Sequence, residues 1–247
     1  MIAVDDDGFR QRYRELVKTY TERLPLDQAM QIAVGGEFEA VGVLERQLLI
    51  QHGLRVDDYI VDVGCGSGRL AKALREYLRG KYLGLDVVPE LIEYARTLVS
   101  RADWRFEIVE GFRIPEEDQR VDVVCFFSVF THLLHEHSYL YLQEARRVLK
   151  PGGRIVVSFL EFANRHHWPW FEQAVRDASG PSTLIQFTER DALKAWAEHL
   201  DLRIDAIEDG DKATIALAAP LRLESGAVFD RRGAFGQSVC VLSVPLA

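Results

Sequence analysis

With 247 residues, the chain is long enough to bury a sizeable core, and its length suits one large α/β domain. Its formal net charge of −8 argues against the broad basic surface of nucleic-acid-binding proteins. Hydrophobic residues make up 48% of the chain, an ordinary share for a globular protein, and no apolar stretch approaches the length that spans a bilayer. The three cysteines are dispersed and the first residues are acidic. We therefore expect a soluble, cytoplasmic protein that binds neither nucleic acid nor membrane.

The N-terminal part of the chain, residues 1–57, is predicted to be helical. Apolar residues recur at helical spacing over residues 8–24 and again over residues 37–52, and Pro25 interrupts the first block. We expect this segment to join residues 58–247 in one structural unit, because no low-complexity linker separates them.

From Tyr59 onward the pattern changes to short apolar strands that alternate with amphipathic helices. Such alternation predicts a mostly parallel sheet with right-handed crossovers. The last two strands have no helix between them, so we predict an antiparallel pair joined by residues 208–236, a length more often functional or mobile than idle. Thr188 and Asp191 resemble a capping arrangement for the last helix. The predicted strands are 59–63, 81–86, 104–109, 121–126, 153–159, 202–207 and 237–244, and the predicted helices are 67–79, 89–100, 137–149 and 188–200.

The most informative stretch is VDVGCGSGRL at residues 61–70, where three alternate glycines lie between an apolar strand and a helix. Glycines permit positive φ and close approach of a ligand, and the following helix offers unpaired N–H groups. A dinucleotide-binding turn would have another glycine where this chain has Arg69, and Asp62 would repel a pyrophosphate. The turn therefore predicts a nucleotide-like ligand that carries positive charge and no phosphate.

This combination resembles the first motif of the class I S-adenosylmethionine-dependent methyltransferases, in which an acidic residue precedes a Gly-x-Gly-x-Gly turn. Three later segments also resemble that family, namely KYLGLD at 81–86, VDVVCFFS at 121–128 and RVLKPGG at 147–153. The resemblance covers residues 59–160. It implies a Rossmann-like sheet of seven strands with an antiparallel last strand and helices on both faces, and it implies S-adenosylmethionine as the cofactor.

In an open α/β sheet, the ligand binds beyond the carboxyl ends of the strands. The resemblance implies that Asp86 holds the ribose hydroxyls with Val87 against the adenine, and that Asp62 compensates the ammonium group. Glu110 stands where the family receives the adenine amino group, with Phe112 as an alternative apolar contact. The predicted cofactor-binding residues are Asp62, Gly64, Cys65, Gly66, Ser67, Gly68, Asp86, Val87, Glu110, Gly111, Phe112, Phe127 and Ser128.

The candidate catalytic residue is His132, which follows the fourth strand. An imidazole titrates near neutral pH and could take a proton from the acceptor, although a structural or cofactor-shell role stays open. Together with His135 and His137 it suggests a metal site, but the sequence offers no separate carboxylate cluster, and we predict no metal. The aromatic run at 166–171 either lines an acceptor pocket or starts a packed helix around Pro169.

We expect methyl transfer to a small-molecule acceptor, with oxygen favoured by the histidine base. The N-terminal helices are expected to cover the cofactor as a lid, with Gln31, Gly35 and Gly36 near its methionine end and Tyr13 and Tyr20 toward the acceptor. Two alternatives stay open: aminopropyl transfer from decarboxylated S-adenosylmethionine, which would need an acidic acceptor channel, and a non-catalytic subunit that keeps the cofactor pocket. The oligomeric state is not predicted.

Overall fold

A computed structural model describes residues 6–177 and 184–246, so the first residues of the predicted N-terminal segment lie outside the described residues. The N-terminal part forms three helices, one more than the two predicted blocks. Pro25 occupies the N-cap of the middle helix, because its fixed φ suits the entry to a helix. These helices are α1 (Asp6–Arg23), α2 (Leu26–Ala33) and α3 (Phe38–Gln51).

The rest of the described chain alternates strands and helices, as predicted. The helices are α4 (Arg69–Leu74), α5 (Pro89–Val99), α6 (His135–Val148), α7 (Trp168–Asp177) and α8 (Arg190–His199). The longer strands are β1 (Ile60–Val63), β2 (Tyr82–Asp86), β3 (Arg105–Ile108), β4 (Val121–Phe126), β5 (Leu149–Phe159), β6 (Arg203–Glu208) and β11 (Ser238–Ser243). The short strands are β7 (Ile215–Ala216), β8 (Leu221–Arg222), β9 (Val228–Phe229) and β10 (Arg232–Gly233).

The seven longer strands form one sheet in the order β3-β2-β1-β4-β5-β11-β6. Strand β11 is antiparallel to both of its neighbours, whereas β1 to β5 pair in parallel. The order changes direction at β1, between β2 and β4, and the carboxyl ends of these strands meet at one edge, where open α/β sheets bind ligands. The predicted fold class is therefore confirmed.

The main difference from the prediction lies at the start of β5. The predicted helix ended at residue 149 and the predicted strand began at 153, whereas α6 ends at Val148 and β5 begins at Leu149 with no loop between them. Leu149 pairs with Val121, and the register then shifts before Arg154 pairs with Val123. The Pro-Gly-Gly stretch thus lies in a bulge of β5 opposite β4.

Apolar side chains cover both faces of the sheet. One buried cluster joins the sheet to α3, α4 and α5, and the other joins it to α6 and α8. The N-terminal helices α1 and α2 form a third cluster with the start of α5, through Val17, Met30 and Leu91. This packing brings α1 and α2 to the sheet edge at which β1 and β2 end.

The long connection between β6 and β11 contains two small ladders that the sequence pattern did not predict, β7 with β10 and β8 with β9. The predicted cap of the last helix is wrong. Glu189 occupies the N-cap of α8 without a side-chain hydrogen bond, and the buried Thr188 hydroxyl has no partner among the described residues. Within the described ranges, every helix is too short or too polar to cross a membrane.

Candidate functional site

A cavity of about 450 Å³ lies at the carboxyl ends of β1, β2 and β4. Two sets of its lining residues differ in chemistry. The charged side consists of Glu45, Asp62, Arg69 and Asp86. The apolar side consists of Tyr13, Leu16, Ile32, Thr131, His132, Leu133, Leu160, Trp170, Ile185 and Gln237.

The glycine turn between β1 and α4 forms the wall of the cavity beside the charged side. Gly64 and Gly66 have φ values of +74° and +54°, in the left-handed region that favours glycine. A Cβ at Gly64 would lie 2.4 Å from Val129, and one at Gly66 would lie 2.5 Å from Val34, both of them lining residues. Glycine is therefore required at both positions by the backbone conformation and by the close packing of two lining side chains.

Asp86 ends β2 and points its carboxylate under this turn. Its Oδ2 accepts a hydrogen bond from the Gly66 N–H at 2.9 Å, and its Oδ1 accepts one from the Val88 N–H at 3.0 Å. Burial raises the pKa of Asp86, although the backbone hydrogen bonds oppose that shift. Because each carboxylate oxygen can accept more than one bond, both oxygens can also receive a hydroxyl from the cavity.

Asp62 lies in β1 and is buried beside the cavity. The Tyr82 hydroxyl donates to its Oδ2 at 2.5 Å, and the Cys125 thiol lies 3.5 Å from its Oδ1. Burial raises the pKa of Asp62 to about 7 in spite of these hydrogen bonds. A buried carboxyl in this state gains most from a cationic ligand, which would favour its charged form.

The sequence did not predict the ion pair that completes the charged side. The Arg69 guanidinium donates to Glu45 Oε1 from Nε at 3.1 Å and from Nη2 at 2.5 Å, and Nη1 donates to the Val34 carbonyl at 2.8 Å. Only 11% of the Arg69 side chain and 2% of the Glu45 side chain are exposed. The sequence analysis singled out Arg69 because it follows the third glycine. Its partner Glu45, in α3, becomes evident only in the folded structure.

His132 lies in a short 3₁₀ turn after β4 and is half-buried. Its Nδ1 is 2.8 Å from the Leu184 carbonyl oxygen. A carbonyl oxygen only accepts hydrogen bonds, so the neutral ring carries its proton on Nδ1 and a lone pair on Nε2. Burial lowers the pKa of His132. The ring centroid of Tyr13 is 6.4 Å from that of His132, and the Tyr13 hydroxyl donates to the Ala33 carbonyl at 2.8 Å.

A closed group of hydrogen bonds holds the segment that leads to His132. Ser128 has a φ of +59°, and its N–H donates to Ser158 Oγ at 2.7 Å. The Ser158 hydroxyl donates to Gln237 Oε1 at 2.7 Å, and Gln237 Nε2 donates back to Ser128 Oγ at 3.0 Å. These bonds tie the ends of β4 and β5 to the start of β11 and so orient the apolar side.

The structure brings part of the predicted cofactor set together. Ser67 is fully buried and donates to the Met30 carbonyl at 2.9 Å, and Phe112 stacks on His137 with ring centroids 4.3 Å apart. The roles of predicted residues outside the lining stay predictions. The predicted residues that line the cavity are Asp62, Gly64, Cys65, Gly66, Asp86, Val87, Phe127, Ser128 and His132, and those outside its lining are Ser67, Gly68, Glu110, Gly111 and Phe112.

The other candidates from the sequence divide in the same way. Trp170 alone of the run at 166–171 belongs to the lining. His167 is buried, and its Nδ1 lies 3.0 Å from the Glu161 N–H group. Gly35 lines the cavity beside α2, whereas Gln31 does not, nor do Gly36 and Tyr20. In the described part of the chain, no three His, Cys, Asp or Glu residues are grouped to hold a metal ion.

Comparison with known proteins agrees with this geometry. Residues 61–157 match the family model described as a methyltransferase domain. The fatty-acid O-methyltransferase of Mycolicibacterium smegmatis is 30% identical over 120 residues, which cover 48% of this chain and 42% of that protein. The ubiquinone biosynthesis O-methyltransferase of Xylella fastidiosa is 33% identical over 104 residues, 40% of each chain.

A solved structure resembles nearly the whole fold. Magnesium protoporphyrin IX methyltransferase from Synechocystis, with bound SAH, has a TM-score of 0.64 and 13% identity and covers 97% of this chain and 99% of its own. At that identity the likeness concerns the fold alone. The curated relatives match over less than half of their own length, from 27% for a probable fatty acid methyltransferase of Pseudomonas putida to 42% for the mycobacterial protein.

Proposed function

We propose that this chain, which carries a domain of the class I S-adenosylmethionine-dependent methyltransferase family over residues 61–157, transfers a methyl group to an oxygen atom of a small-molecule acceptor. The observation that supports this most is the shared cavity of Asp62, Asp86 and His132. Two carboxylates and a glycine cradle on one side suit the cofactor, and a histidine base lies on the other side. When bound, S-adenosylmethionine supplies a methyl group on a positively charged sulfur.

The charged side fits the parts of that cofactor. Asp86 would accept hydrogen bonds from the two ribose hydroxyls, and the glycine turn would admit the chain between ribose and methionine. Asp62 would compensate the ammonium group. The guanidinium of Arg69 has five N–H donors, of which three bond to Glu45 and Val34, so others are left for the methionine carboxylate.

His132 would act as the general base for the acceptor. Nδ1 lies 2.8 Å from the Leu184 carbonyl oxygen, so Nε2 is the ring nitrogen assigned to the base role in this proposal. A lowered pKa keeps the imidazole unprotonated at neutral pH. Positioning the acceptor in line with the methyl group and excluding water would supply much of the remaining acceleration.

The helices before β1 would serve as a cover over the cofactor. Ser67 holds α2 through the Met30 carbonyl, and Arg69 holds the end of α2 through the Val34 carbonyl. These bonds join α2 and the residue after it to the glycine turn. Cofactor binding at the turn and closure of the helical segment are therefore coupled in this proposal.

Calorimetric titration with three ligands tests the proposal. We expect S-adenosylmethionine and S-adenosylhomocysteine to bind, and decarboxylated S-adenosylmethionine to bind at least tenfold more weakly, because it lacks the carboxylate that Arg69 would receive. Preference for the decarboxylated donor would favour aminopropyl transfer. Tight binding of S-adenosylmethionine without methylation of any acceptor in a broad screen would favour a non-catalytic subunit.

A further inference from the structure

Arg69 lies where three helices meet beside the cavity. Its backbone begins α4, its Nε and Nη2 donate to Oε1 of Glu45 in α3, and its Nη1 donates to the Val34 carbonyl at the end of α2. Only 11% of its side chain is exposed. A cation so far from water needs partners, and these partners also fix the direction in which the planar guanidinium points.

The carboxylate of Glu45 is held as firmly as the guanidinium. Helix α3 packs on α4 so closely that a Cβ at Gly42 would lie 2.9 Å from the carbonyl oxygen of Arg69. Leu44 and Leu48, on either side of Glu45 in the sequence, are buried, and so is Glu45 itself. Because both helices are fixed by this packing, Glu45 keeps the guanidinium in one orientation.

Two N–H groups of the guanidinium are not used by these bonds. Nη1 and Nη2 have two hydrogens each, and each of these nitrogens makes one hydrogen bond to the described residues. N–H groups on neighbouring nitrogens form the fork that binds both oxygens of a carboxylate. Since Arg69 lines the cavity, an oriented guanidinium offers this fork to a ligand.

The other two carboxylates of the charged side are engaged elsewhere. Asp62 accepts a hydrogen bond from the Tyr82 hydroxyl, and Asp86 accepts its hydrogen bonds from backbone N–H groups. Among the described residues, Glu45 is therefore the carboxylate that pairs with Arg69. Its contribution to the site passes through the guanidinium, whereas Asp62 and Asp86 are assigned to the cofactor directly.

We propose that Glu45 is a positioning residue for cofactor recognition, an inference that rests on the proposed function. Through its ion pair it directs the two remaining N–H groups of Arg69 at the methionine carboxylate of S-adenosylmethionine. The negative charge of Glu45 also repels that carboxylate. Orientation outweighs the repulsion, because a guanidinium that is already anchored loses little further freedom when the ligand binds.

Calorimetric titration of three ligands into the full chain tests this inference. S-adenosylmethionine has an ammonium group and a carboxylate, decarboxylated S-adenosylmethionine has only the ammonium group, and methylthioadenosine has neither. Glu45→Gln keeps the size of the side chain and removes its charge. We expect it to weaken binding of S-adenosylmethionine about fivefold to tenfold and to leave the other two affinities unchanged. Glu39→Gln, in the same helix and paired with Lys72 at the exposed surface, is the matched control.

The three ligands separate the possible roles of Glu45. An equal loss for all of them would make its role structural, and a loss for the decarboxylated donor as well would make it a ligand of the ammonium group. Either result would overturn the inference, as would unchanged or tighter binding of S-adenosylmethionine by Glu45→Gln. Failure of the wild type to bind S-adenosylmethionine would instead contradict the proposed function.

Two further variants keep the buried charges in place. Glu45→Asp shortens the side chain by one carbon, and we expect the same selective loss because the position of the carboxylate changes. Arg69→Lys keeps the cation without the fork and should also lose the preference for the carboxylate-bearing donor. Adding Glu45→Gln to Arg69→Lys should cost nothing more, since Glu45 acts through the guanidinium. Additive losses, or full selectivity in Glu45→Asp, would contradict the positioning role.

Discussion

The two sides of the cavity are built in different ways. The charged side stands on β1, β2 and the starts and faces of α3 and α4, and strand register and the glycine turn place Asp62 and Asp86. The apolar side collects residues from α1, α2, the 3₁₀ turn after β4, and the segments around Trp170 and Ile185. In the proposed function, the sheet thus holds the residues assigned to the cofactor, and the connections between its elements hold those assigned to the acceptor.

The largest expected effect comes from removing the proposed general base, His132. His132→Ala should lower turnover about a hundredfold or more, while the affinity for S-adenosylmethionine stays the same because His132 belongs to the apolar side. The measurements are steady-state kinetics with an acceptor that the wild type methylates and calorimetry with the cofactor. His199→Ala, an exposed histidine at the end of α8, is the matched control and should leave both unchanged. Full turnover by His132→Ala would exclude the base.

The pH dependence of kcat/KM tests the same proposed role of His132. Burial lowers the pKa of His132, so kcat/KM of the wild type should rise through a pKa below the usual 6.5 and be flat at neutral pH. Loss of that rise in His132→Ala would connect it to this residue. A rise centred well above pH 7 would contradict the assignment.

On the charged side, Asp86→Ala should weaken cofactor binding by about 1 to 3 kcal/mol. The substitution removes the acceptors for the ribose, and it also leaves the Gly66 and Val88 N–H groups without their partner. Asp86→Asn keeps one acceptor oxygen and separates the two effects, and a thermal melt checks the fold. Asp57→Ala, whose side chain is 77% exposed, is the control. Unchanged cofactor affinity in both Asp86 variants would contradict the proposal that Asp86 binds the ribose hydroxyls.

Asp62 should make cofactor binding depend on pH. Burial raises its pKa to about 7, so below that pH an ammonium group must displace a proton to gain a charged partner. The Kd for S-adenosylmethionine should fall by up to about tenfold per pH unit toward pH 7. The same raised pKa means that stability falls as pH rises from about 4 to about 7. Asp62→Asn should flatten both profiles, and an unchanged Kd profile in that variant would assign the dependence to another group.

The smallest expected effect lies at the mouth of the apolar side. Trp170→Ala removes a large, half-exposed ring, so it should raise KM for the same acceptor about threefold to tenfold, equivalent to about 1 kcal/mol. Cofactor affinity should not change. Kinetics on the wild type and the variant measure this effect, with the exposed Val175→Ala in the same helix as the control. A change in cofactor affinity without a change in KM would contradict the assignment of Trp170 to the apolar side.

The sequence predicted the charged side better than the apolar side, for physical reasons. Asp62 and Asp86 lie at fixed places in apolar strands, and strand periodicity with the glycine turn determines where their side chains go. The pairing of Glu45 with Arg69 depends on how two helices pack, which no local pattern encodes. The bulge after Leu149 likewise depends on pairing with a distant strand.

Residues in irregular segments were the hardest to place. Ile185 reaches the cavity from a segment without periodicity, and Gln237 reaches it from the start of the last predicted strand, where nothing in the sequence indicated a side chain of the cavity. Glu110 and Phe112 were expected at the cofactor because they follow the third strand. The ladder extends to Val109, whose N–H donates to the Asp86 carbonyl, and the chain then turns so that Phe112 packs on Tyr141. Val109, the residue before Glu110, belongs to the cavity lining.

A crystal structure with S-adenosylhomocysteine tests the central claim most directly. We predict that both ribose hydroxyls lie within hydrogen-bond distance of the Asp86 carboxylate, and that the sulfur points toward the apolar side and His132. The amino-acid end should lie between Asp62 and Arg69. A ligand bound elsewhere, or bound here with its ribose away from Asp86, would contradict the account.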